Sequence, residues 1–338
     1  MNGRERVNAA LNFTKPDRAP RDLWSTGYVP AERAKEFFGL IEQFPLDISY
    51  APACVTKAGY GDNLYVKAGH YTDEWGSIWY AGEPGALGEV KEPVLRDWSN
   101  LDHFQPPWDY IRKRDLTPAT QASDASPYYM ISDVTANPFE RMQFLRGSEN
   151  LYTDIGYGTT EFRRLLEMVH EYSLENTRLW CQTSVDGVIF MDDWGSNQGL
   201  LINPSTWREI FKPLYREYIE IIHAAGKKVF FHSDGKIQAI FGELVDIGID
   251  AINSQLFVMD IEELGRRYKG KITFWGEIDR QHILPFGTPE EVRSAVKRVR
   301  SALDDGQGGV IALIDWGKND PLVNIQMAYS AWAENLHG

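Results

Sequence analysis

Residues 186–193, DGVIFMDD, and residues 228–234, KVFFHSD, are two apolar segments that each end in acidic or imidazole side chains. The helical pattern between them begins at Asn203-Pro204, an N-cap residue followed by proline at the first helical position. It ends at Ala225-Gly226, where glycine favours helix termination. Two apolar strands joined by a crossover helix are typical of a parallel sheet that is covered on both faces.

The same alternation continues through the rest of the chain. Strands are predicted at Tyr128–Val134, Asp186–Asp192, Lys228–His232, Ala251–Ser254, Thr273–Gly276 and Gly309–Ile314. Helices are predicted over residues 160–182, 204–225, 236–247, 260–268 and 289–305. With two earlier strands, Ala19–Trp24 and Leu46–Tyr50, the count reaches about eight, which favours a (β/α)8 TIM barrel. No glycine-rich phosphate loop follows a strand, which argues against an open nucleotide-binding sheet.

The segment before residue 125 is irregular. A first helix is predicted over Arg4–Asn12, and Gly59–Asp109 is dense in Gly, Pro and Trp, which indicates a β-rich excursion from the barrel. A hairpin is predicted there between Ser77–Ala81 and Gly88–Lys91. Three roles are open for residues 59–125: a lid, a partner-docking surface or a contact in a homodimer.

The sequence shows no internal repeat or long linker, so we predict one domain over residues 1–338. The DEWG segment, Asp73 to Gly76, is interpreted as a structural turn rather than a site.

Composition excludes several classes of protein. The chain has 338 residues and a net charge of −13, which disfavours binding to nucleic acid or to anionic membranes. No apolar run reaches the roughly 18–20 residues of a membrane helix, and the start shows no signal-peptide core. Cys54 and Cys181 stand alone, which excludes a disulfide framework and favours a cytoplasmic location. Aromatic residues make up 13%, which suggests a bulky core or a pocket for flat ligands.

Polar residues gather at one end of the predicted strands. The carboxyl ends read Ser132-Asp133, Asp192-Asp193, His232-Ser233-Asp234, Asn253-Ser254-Gln255, Glu277-Ile278-Asp279 and Asp315. The amino ends carry fewer residues that can bind a metal or transfer a proton. Because a TIM barrel takes its functional side chains from the carboxyl ends of several strands, this asymmetry predicts an active site on that rim.

His232 and Asp234 are two residues apart on an extended chain, so both side chains face one side. With Glu277 and Asp315 from later strands they form a predicted metal site (His232, Asp234, Glu277 and Asp315), and zinc accepts such nitrogen and oxygen ligands. The metal-free alternative is a His–carboxylate pair that carries a proton.

The remaining assignments come from the same strand ends. One carboxylate of the Asp192-Asp193 pair is expected to face inward, and the other to cap a loop or helix. The predicted catalytic residues are His232, Asp193 and Glu277. The predicted substrate-binding residues are Asp192, Trp194, Asn253, Gln255 and Asp279.

Five blocks of the sequence resemble the uroporphyrinogen decarboxylase superfamily, in order along nearly the whole chain. They are RERVNAALNFTKPDRAP from residue 4, NPFERMQFLRGSENLYTDI from 137, DGVIFMDDWGSNQGLLINPSTWREIFKPLYREYI from 186, AAGKKVFFHSDGKI from 224 and FWGEIDRQHILPFGTPEEV from 274. The resemblance implies a (β/α)8 barrel, in agreement with the independent strand count.

The chain departs from the decarboxylase branch of that superfamily. The resemblance implies an arginine-rich segment near the N-terminus that binds the porphyrinogen carboxylates, but DLWSTGYVP stands here, with Arg18 and Arg21 just before it. Pro52 and Ala53 lie near the place of the branch's catalytic aspartate. Porphyrinogen decarboxylation is therefore not expected.

The second branch, the corrinoid-linked methyltransferases, is the closer resemblance. Members that methylate a thiol hold zinc with a His-x-Cys pair and a later Cys, where this chain has His232-Ser233-Asp234 and Asp315. Loss of both thiolates leaves a resemblance to the substrate-side methyltransferases of O-demethylase systems. The implied activity moves a methyl group from a methoxylated aromatic to cob(I)alamin on a separate corrinoid protein, with zinc as the implied metal.

No D-x-H-x-x-G cobalamin-binding segment is present in this sequence, which fits delivery of the cobalamin by a partner. Two alternatives stay open at this stage. The first is another enzyme of the superfamily, either a decarboxylase or a methylcobalamin:thiol methyltransferase. The second is a non-catalytic barrel that binds a small ligand.

Overall fold

The computed structural model describes residues 1–25, 29, 32–52, 68–83 and 88–334. Its strands are β1 (Arg21–Ser25), β2 (Ile48–Tyr50), β3 (Gly69–Thr72), β4 (Ile78–Ala81), β5 (Glu89–Glu92), β6 (Tyr129–Ile131), β7 (Gly187–Met191), β8 (Lys228–Ser233), β9 (Ala251–Ser254), β10 (Thr273–Trp275) and β11 (Val310–Trp316).

Eight of these strands form one parallel sheet in the order β1-β11-β10-β9-β8-β7-β6-β2. The two outer strands come together at their start, where the backbone N–H of Asp47 donates to the carbonyl of Arg21 at 2.9 Å. The sheet is therefore a nearly closed barrel, which confirms the predicted (β/α)8 fold.

The helices surround this barrel. They are α1 (Gly3–Leu11), α2 (Ala34–Gln43), α3 (Trp108–Arg112), α4 (Thr117–Ala125), α5 (Pro138–Arg146), α6 (Ser148–Tyr157), α7 (Thr160–Cys181), α8 (Pro204–Ala224), α9 (Gln238–Asp246), α10 (Ile261–Tyr268), α11 (Ile283–Phe286), α12 (Pro289–Leu303) and α13 (Leu322–Ala333). The predicted start signals are confirmed: Asn203 accepts a bond from the backbone of Ser205, and Thr288 forms a capping box with Glu291.

Alternation along each strand divides the core into two layers. On β7, Ile189 belongs to the cluster inside the barrel, while Val188 and Phe190 pack outward against the helices. Val7 and Leu11 of α1 also join the inner cluster, so this helix closes the end of the barrel where the strands begin. The packed interior leaves the other end, where the strands finish, as the rim that carries the site.

The N-terminal excursion is confirmed in its described part. Strands β3, β4 and β5 form a separate antiparallel sheet, with β4 and β5 as the predicted hairpin. Residues 59–67 of the excursion lie outside the described residues, and so does Cys54. Cys181 is a free thiol and is half-buried.

The described part of the chain has no helix that combines the length and apolar character needed to span a bilayer.

Candidate functional site

Three side chains meet where β7 and β8 end. His232 lies near the end of β8, Asp234 follows that strand directly, and Asp193 follows β7. The Nε2 atom of His232 lies 3.5 Å from Oδ1 of Asp193 and 3.6 Å from Oδ1 of Asp234. One ligand atom from each residue lies within 4.8 Å of the other two. We call these three residues the cation cluster.

Backbone contacts hold the two aspartates in place. The N–H of Asp234 donates to Oδ1 of Asp193 at 2.8 Å, and the N–H of Gly195 donates to the carbonyl of Asp234 at 3.1 Å. The two loops approach so closely that a Cβ on Gly235 would lie 2.1 Å from the carbonyl carbon of Gly195. Gly235 also has a φ of +76°, which L side chains rarely adopt.

Replacing Gly235 by alanine should lower the free energy of unfolding by about 3 kcal/mol, because it combines a left-handed backbone with a backbone clash. The clash should also separate the loops that carry Asp193 and Asp234. Urea unfolding checks the stability. Gly199→Ala is the matched control, since a Cβ at Gly199 meets nothing within 4 Å. Equal midpoints for the two variants would contradict the close-approach argument.

Asn253 of β9 fixes the His232 ring. Its Oδ1 lies 2.5 Å from Nδ1 of His232, and its Nδ2 donates to the carbonyl of Trp275 at 2.6 Å. Since an amide oxygen only accepts, we assign the proton of neutral His232 to Nδ1. The unprotonated Nε2 then faces Asp193 and Asp234. Asn253 was predicted to bind substrate, but both its polar atoms are engaged within the protein.

Burial and charge act on His232 in opposite directions. Burial alone would lower its pKa, but the carboxylates of Asp234, Asp193 and Glu277 outweigh that effect and raise the pKa above its usual range. The cluster therefore concentrates negative charge around one imidazole nitrogen, an environment that favours a cation.

Replacing Asn253 by alanine should weaken Zn²⁺ binding about 10- to 100-fold, because loss of a partner that orients a ligating histidine has that effect at metal sites. Isothermal titration calorimetry would measure the change. Asn253→Asp keeps an acceptor for Nδ1 and should retain most of the affinity. Unchanged binding in Asn253→Ala would show that the amide does not orient the ring.

Arg280 lies beside the cation cluster and pairs with three carboxylates from three strand ends. Its Nη2 donates to Oδ1 of Asp234, its Nη1 donates to Oδ2 of Asp315 at 2.8 Å, and its Nε lies 3.5 Å from Oε2 of Glu277. Glu277 and Asp315 were predicted as metal ligands, but the structure places both against this guanidinium and neither in the cation cluster. Sequence reasoning missed Arg280.

One oxygen of Glu277 has no partner among the residues that the structure describes. The side chain is only 3% exposed, and no described residue forms a hydrogen bond with Oε1. Burial raises the pKa of this carboxyl to about 7, although Arg280 acts to lower it. A buried oxygen beside the cluster that lacks a partner can bind a cation or accept a proton from a substrate.

Asp192 adjoins the cluster but its carboxylate caps α5. Oδ1 accepts from the backbone N–H of Glu140 at 2.7 Å, and Oδ2 accepts from that of Phe139 at 3.0 Å and from the Tyr215 hydroxyl at 2.6 Å. Asn137, at the N-cap position of α5, makes no side-chain cap bond. One aspartate of the pair thus caps a helix and the other, Asp193, reaches the site.

Three other predicted substrate residues are also engaged within the protein. Trp194 is fully buried and donates to the hydroxyl of Tyr215 at 2.6 Å. Oε1 of Gln255 accepts from the backbone of Gly235 at 2.8 Å. Asp279 accepts two backbone N–H groups of the turn that follows it. A substrate contact by any of them stays a prediction.

A cavity of about 480 Å³ opens beside the cation cluster, which forms part of its lining. Its aromatic lining residues are Tyr71, Trp75, Trp79, Tyr110, Phe144 and Tyr172. Its other charged lining residues are Asp73, Glu74, Arg114, Asp133, Glu140 and Arg141. The volume suits a small molecule, and part of the aromatic surplus seen in the sequence lies in this lining.

The N-terminal excursion supplies one wall of this cavity. Asp73 forms the predicted turn by accepting from the backbone of Trp75 at 3.0 Å and of Ser77 at 2.8 Å. The turn also brings Glu74 and Trp75 into the cavity lining, where Arg141 lies over the Trp75 ring at 5.1 Å. The predicted turn is therefore confirmed, but the same segment also lines the cavity of the candidate site.

Glu140 is a second residue that the sequence did not reveal. It follows the capped start of α5, lines the cavity and accepts from the Nδ2 of Asn137 at 3.2 Å. Burial and the nearby charge of Asp193 raise the pKa of Glu140 to about 7. Glu140 lies next to Asp192 because the Asp192 carboxylate caps the start of α5. No pattern in the residues around Glu140 indicates that cap.

The cation cluster fits a metal ion such as zinc. Ligands at about 2.1 Å from zinc in a tetrahedral arrangement are about 3.4 Å apart. The two distances from Nε2 of His232, 3.5 and 3.6 Å, are close to that spacing. Nitrogen and carboxylate oxygen are accepted zinc donors, and two carboxylates balance the charge of a divalent ion. The residues present are therefore suited to hold such an ion.

Residues 125–314 match the family model for uroporphyrinogen decarboxylase (URO-D). The chain belongs to the uroporphyrinogen decarboxylase family. The matched part of this URO-D chain contains the cation cluster, Asn253 and Arg280.

The chain shares its fold with a solved methyltransferase structure. A methyltransferase from Methanosarcina mazei is 14% identical, with 98% of each chain covered and a TM-score of 0.72. An endo-beta-1,4-xylanase from Gloeophyllum trabeum is 8% identical, with 98% of this chain and 100% of that chain covered and a TM-score of 0.46. No curated protein matches this sequence.

Proposed function

We propose that this URO-D family member is a corrinoid-dependent methyltransferase. It moves a methyl group from a methoxylated aromatic to cob(I)alamin, which a separate corrinoid protein carries. The observation that carries the proposal is the cation cluster, His232 with Asp193 and Asp234, at the edge of an aromatic-walled cavity of about 480 Å³. The fold shared with the Methanosarcina mazei methyltransferase supports the choice within the family.

The cavity walls suit a flat, uncharged ring. Trp75, Tyr110 and Tyr172 offer aromatic surfaces that gain by stacking or edge contact. Carboxyl groups outnumber guanidinium groups in the lining, which disfavours a substrate with many carboxylates. This balance supports a methoxyarene over a porphyrinogen.

The reaction breaks the bond between the methyl carbon and the ether oxygen. The electron pair of that bond stays on the oxygen, which leaves as a phenolate, and cob(I)alamin supplies both electrons of the new carbon–cobalt bond. A zinc ion held by His232, Asp193 and Asp234 would supply Lewis-acid stabilisation of the phenolate charge. Asn253 keeps Nε2 of His232 turned toward Asp193 and Asp234, and the cavity walls hold the aromatic ring of the substrate beside the cation cluster.

A partner protein carries the cobalamin, consistent with the absence of a D-x-H-x-x-G segment from this sequence. We also propose that residues 1–338 act as one domain. The match to the Methanosarcina mazei structure over 98% of the chain supports that reading.

Product analysis tests the proposed function. The purified enzyme is incubated with reduced corrinoid protein and a panel of methoxyarenes, and the demethylated phenol is measured by mass spectrometry. We expect phenol from at least one methoxyarene, only when the corrinoid is reduced. Phenol formed equally without corrinoid would overturn the corrinoid dependence.

A further inference from the structure

Arg280 divides the carboxylates of the rim into two groups. Asp193 and Asp234 face Nε2 of His232, whereas Asp234, Glu277 and Asp315 surround the guanidinium. Asp234 belongs to both groups, and the same oxygen, Oδ1, faces His232 and accepts from Arg280. The guanidinium therefore shares a carboxylate oxygen with the cation cluster.

Glu277 gives the second group an oxygen that is free to bind a cation. Its Oε1 is buried and has no hydrogen-bond partner in the described part of the chain, and the side chain is only 3% exposed. Asp315, at 19% side-chain exposure, and Asp234, at 32%, complete a set of three carboxylates around one cation. Three carboxylates from three strand ends are a donor set that divalent ions accept.

We propose that Arg280 occupies the place of a second cation among Asp234, Glu277 and Asp315, and so limits the rim to one metal ion. A guanidinium is permanently charged and offers donors in a fixed fork, so it satisfies several carboxylates without dissociating. Removal of Arg280 leaves the three carboxylates without a cation. This inference rests on the metal ion of the proposed function.

Zn²⁺ titration of the full-length protein without an affinity tag tests the inference. Bound zinc is counted by plasma mass spectrometry after gel filtration, and affinities are measured by calorimetry. We expect one equivalent in the wild type and two in Arg280→Met. Arg280→Lys keeps the positive charge and should return to one equivalent. Arg208→Met is the matched control, because it removes an arginine paired with Glu243 on the outer surface and should bind one equivalent.

Each result decides between the alternatives. One equivalent in Arg280→Met, with wild-type affinity and an unchanged melting temperature, would overturn the inference, and so would no zinc in either protein. Zinc bound by Arg280→Met alone would support the exclusion of a cation by Arg280 and would contradict the metal part of the proposed function. Methyl transfer is scored separately by phenol formation. If Arg280→Met does not fold, Arg280→Gln, which keeps a donor for Asp315, gives the same test.

Discussion

Replacing His232 by alanine should lower the rate of phenol formation by about 10²–10⁴-fold, whether the imidazole binds a metal or carries a proton. The variant should also lose bound zinc, because Nε2 is the only nitrogen donor of the cation cluster. The fold should persist, since the side chain lies at the barrel mouth. Rates, metal content and melting temperature of the purified variant check these three expectations.

His223→Ala is the matched control for that variant. His223 lies at the end of α8, where its Nε2 is 2.8 Å from Asp250, and 41% of the side chain is exposed. We expect a rate within about twofold of the wild type, as for surface substitutions away from a site. If His232→Ala retained a third or more of the wild-type rate, the site assignment would be wrong.

Alanine substitutions of Asp192 and Asp193 should have different effects, the first on stability and the second on zinc binding and methyl transfer. Asp192→Ala should lower the free energy of unfolding by about 3 kcal/mol, because two backbone donors of α5 and the Tyr215 hydroxyl lose their acceptor. Asp193→Ala should change stability by less than about 1 kcal/mol, since its carboxylate is partly exposed, but should lose zinc binding and methyl transfer. Urea unfolding, zinc titration and phenol formation separate the two effects.

Conservative variants sharpen this comparison. Asp192→Asn keeps an acceptor oxygen, so it should lose less than half of the stability that Asp192→Ala loses. Asp193→Asn keeps the shape but not the charge, so its zinc binding should stay weak. Wild-type stability in Asp192→Ala would mean that the cap of α5 has no energetic role.

The barrel could be predicted because its signals are local. Between residues 187 and 316 the strands are runs of apolar residues, and the helices between them have start and stop signals. Apolar runs of this kind arise because both faces of each strand are buried. Seven helices were not predicted: α2, α3, α4, α5, α6, α11 and α13. The acceptor that caps α5 is the carboxylate of Asp192, more than fifty residues later in the chain, so the residues around 138 carry no complete start signal.

The site could be predicted only in part for a related reason. His232 and Asp234 share a strand end, so their proximity follows from strand geometry. Arg280 contacts carboxylates from three strand ends, and no spacing in the sequence indicates that meeting. Glu277 and Asp315 look like ligands from sequence because the competing guanidinium is visible only in the folded barrel.

The absorption spectrum of the corrinoid tests the account most directly. Reduced corrinoid protein is mixed with this enzyme and the panel of methoxyarenes, and the cob(I)alamin band is followed with time. The account predicts that the band is replaced by that of methylcobalamin with the wild type and with His223→Ala, but not with His232→Ala. A cob(I)alamin spectrum that stays unchanged across the panel with a zinc-loaded wild-type enzyme would contradict it.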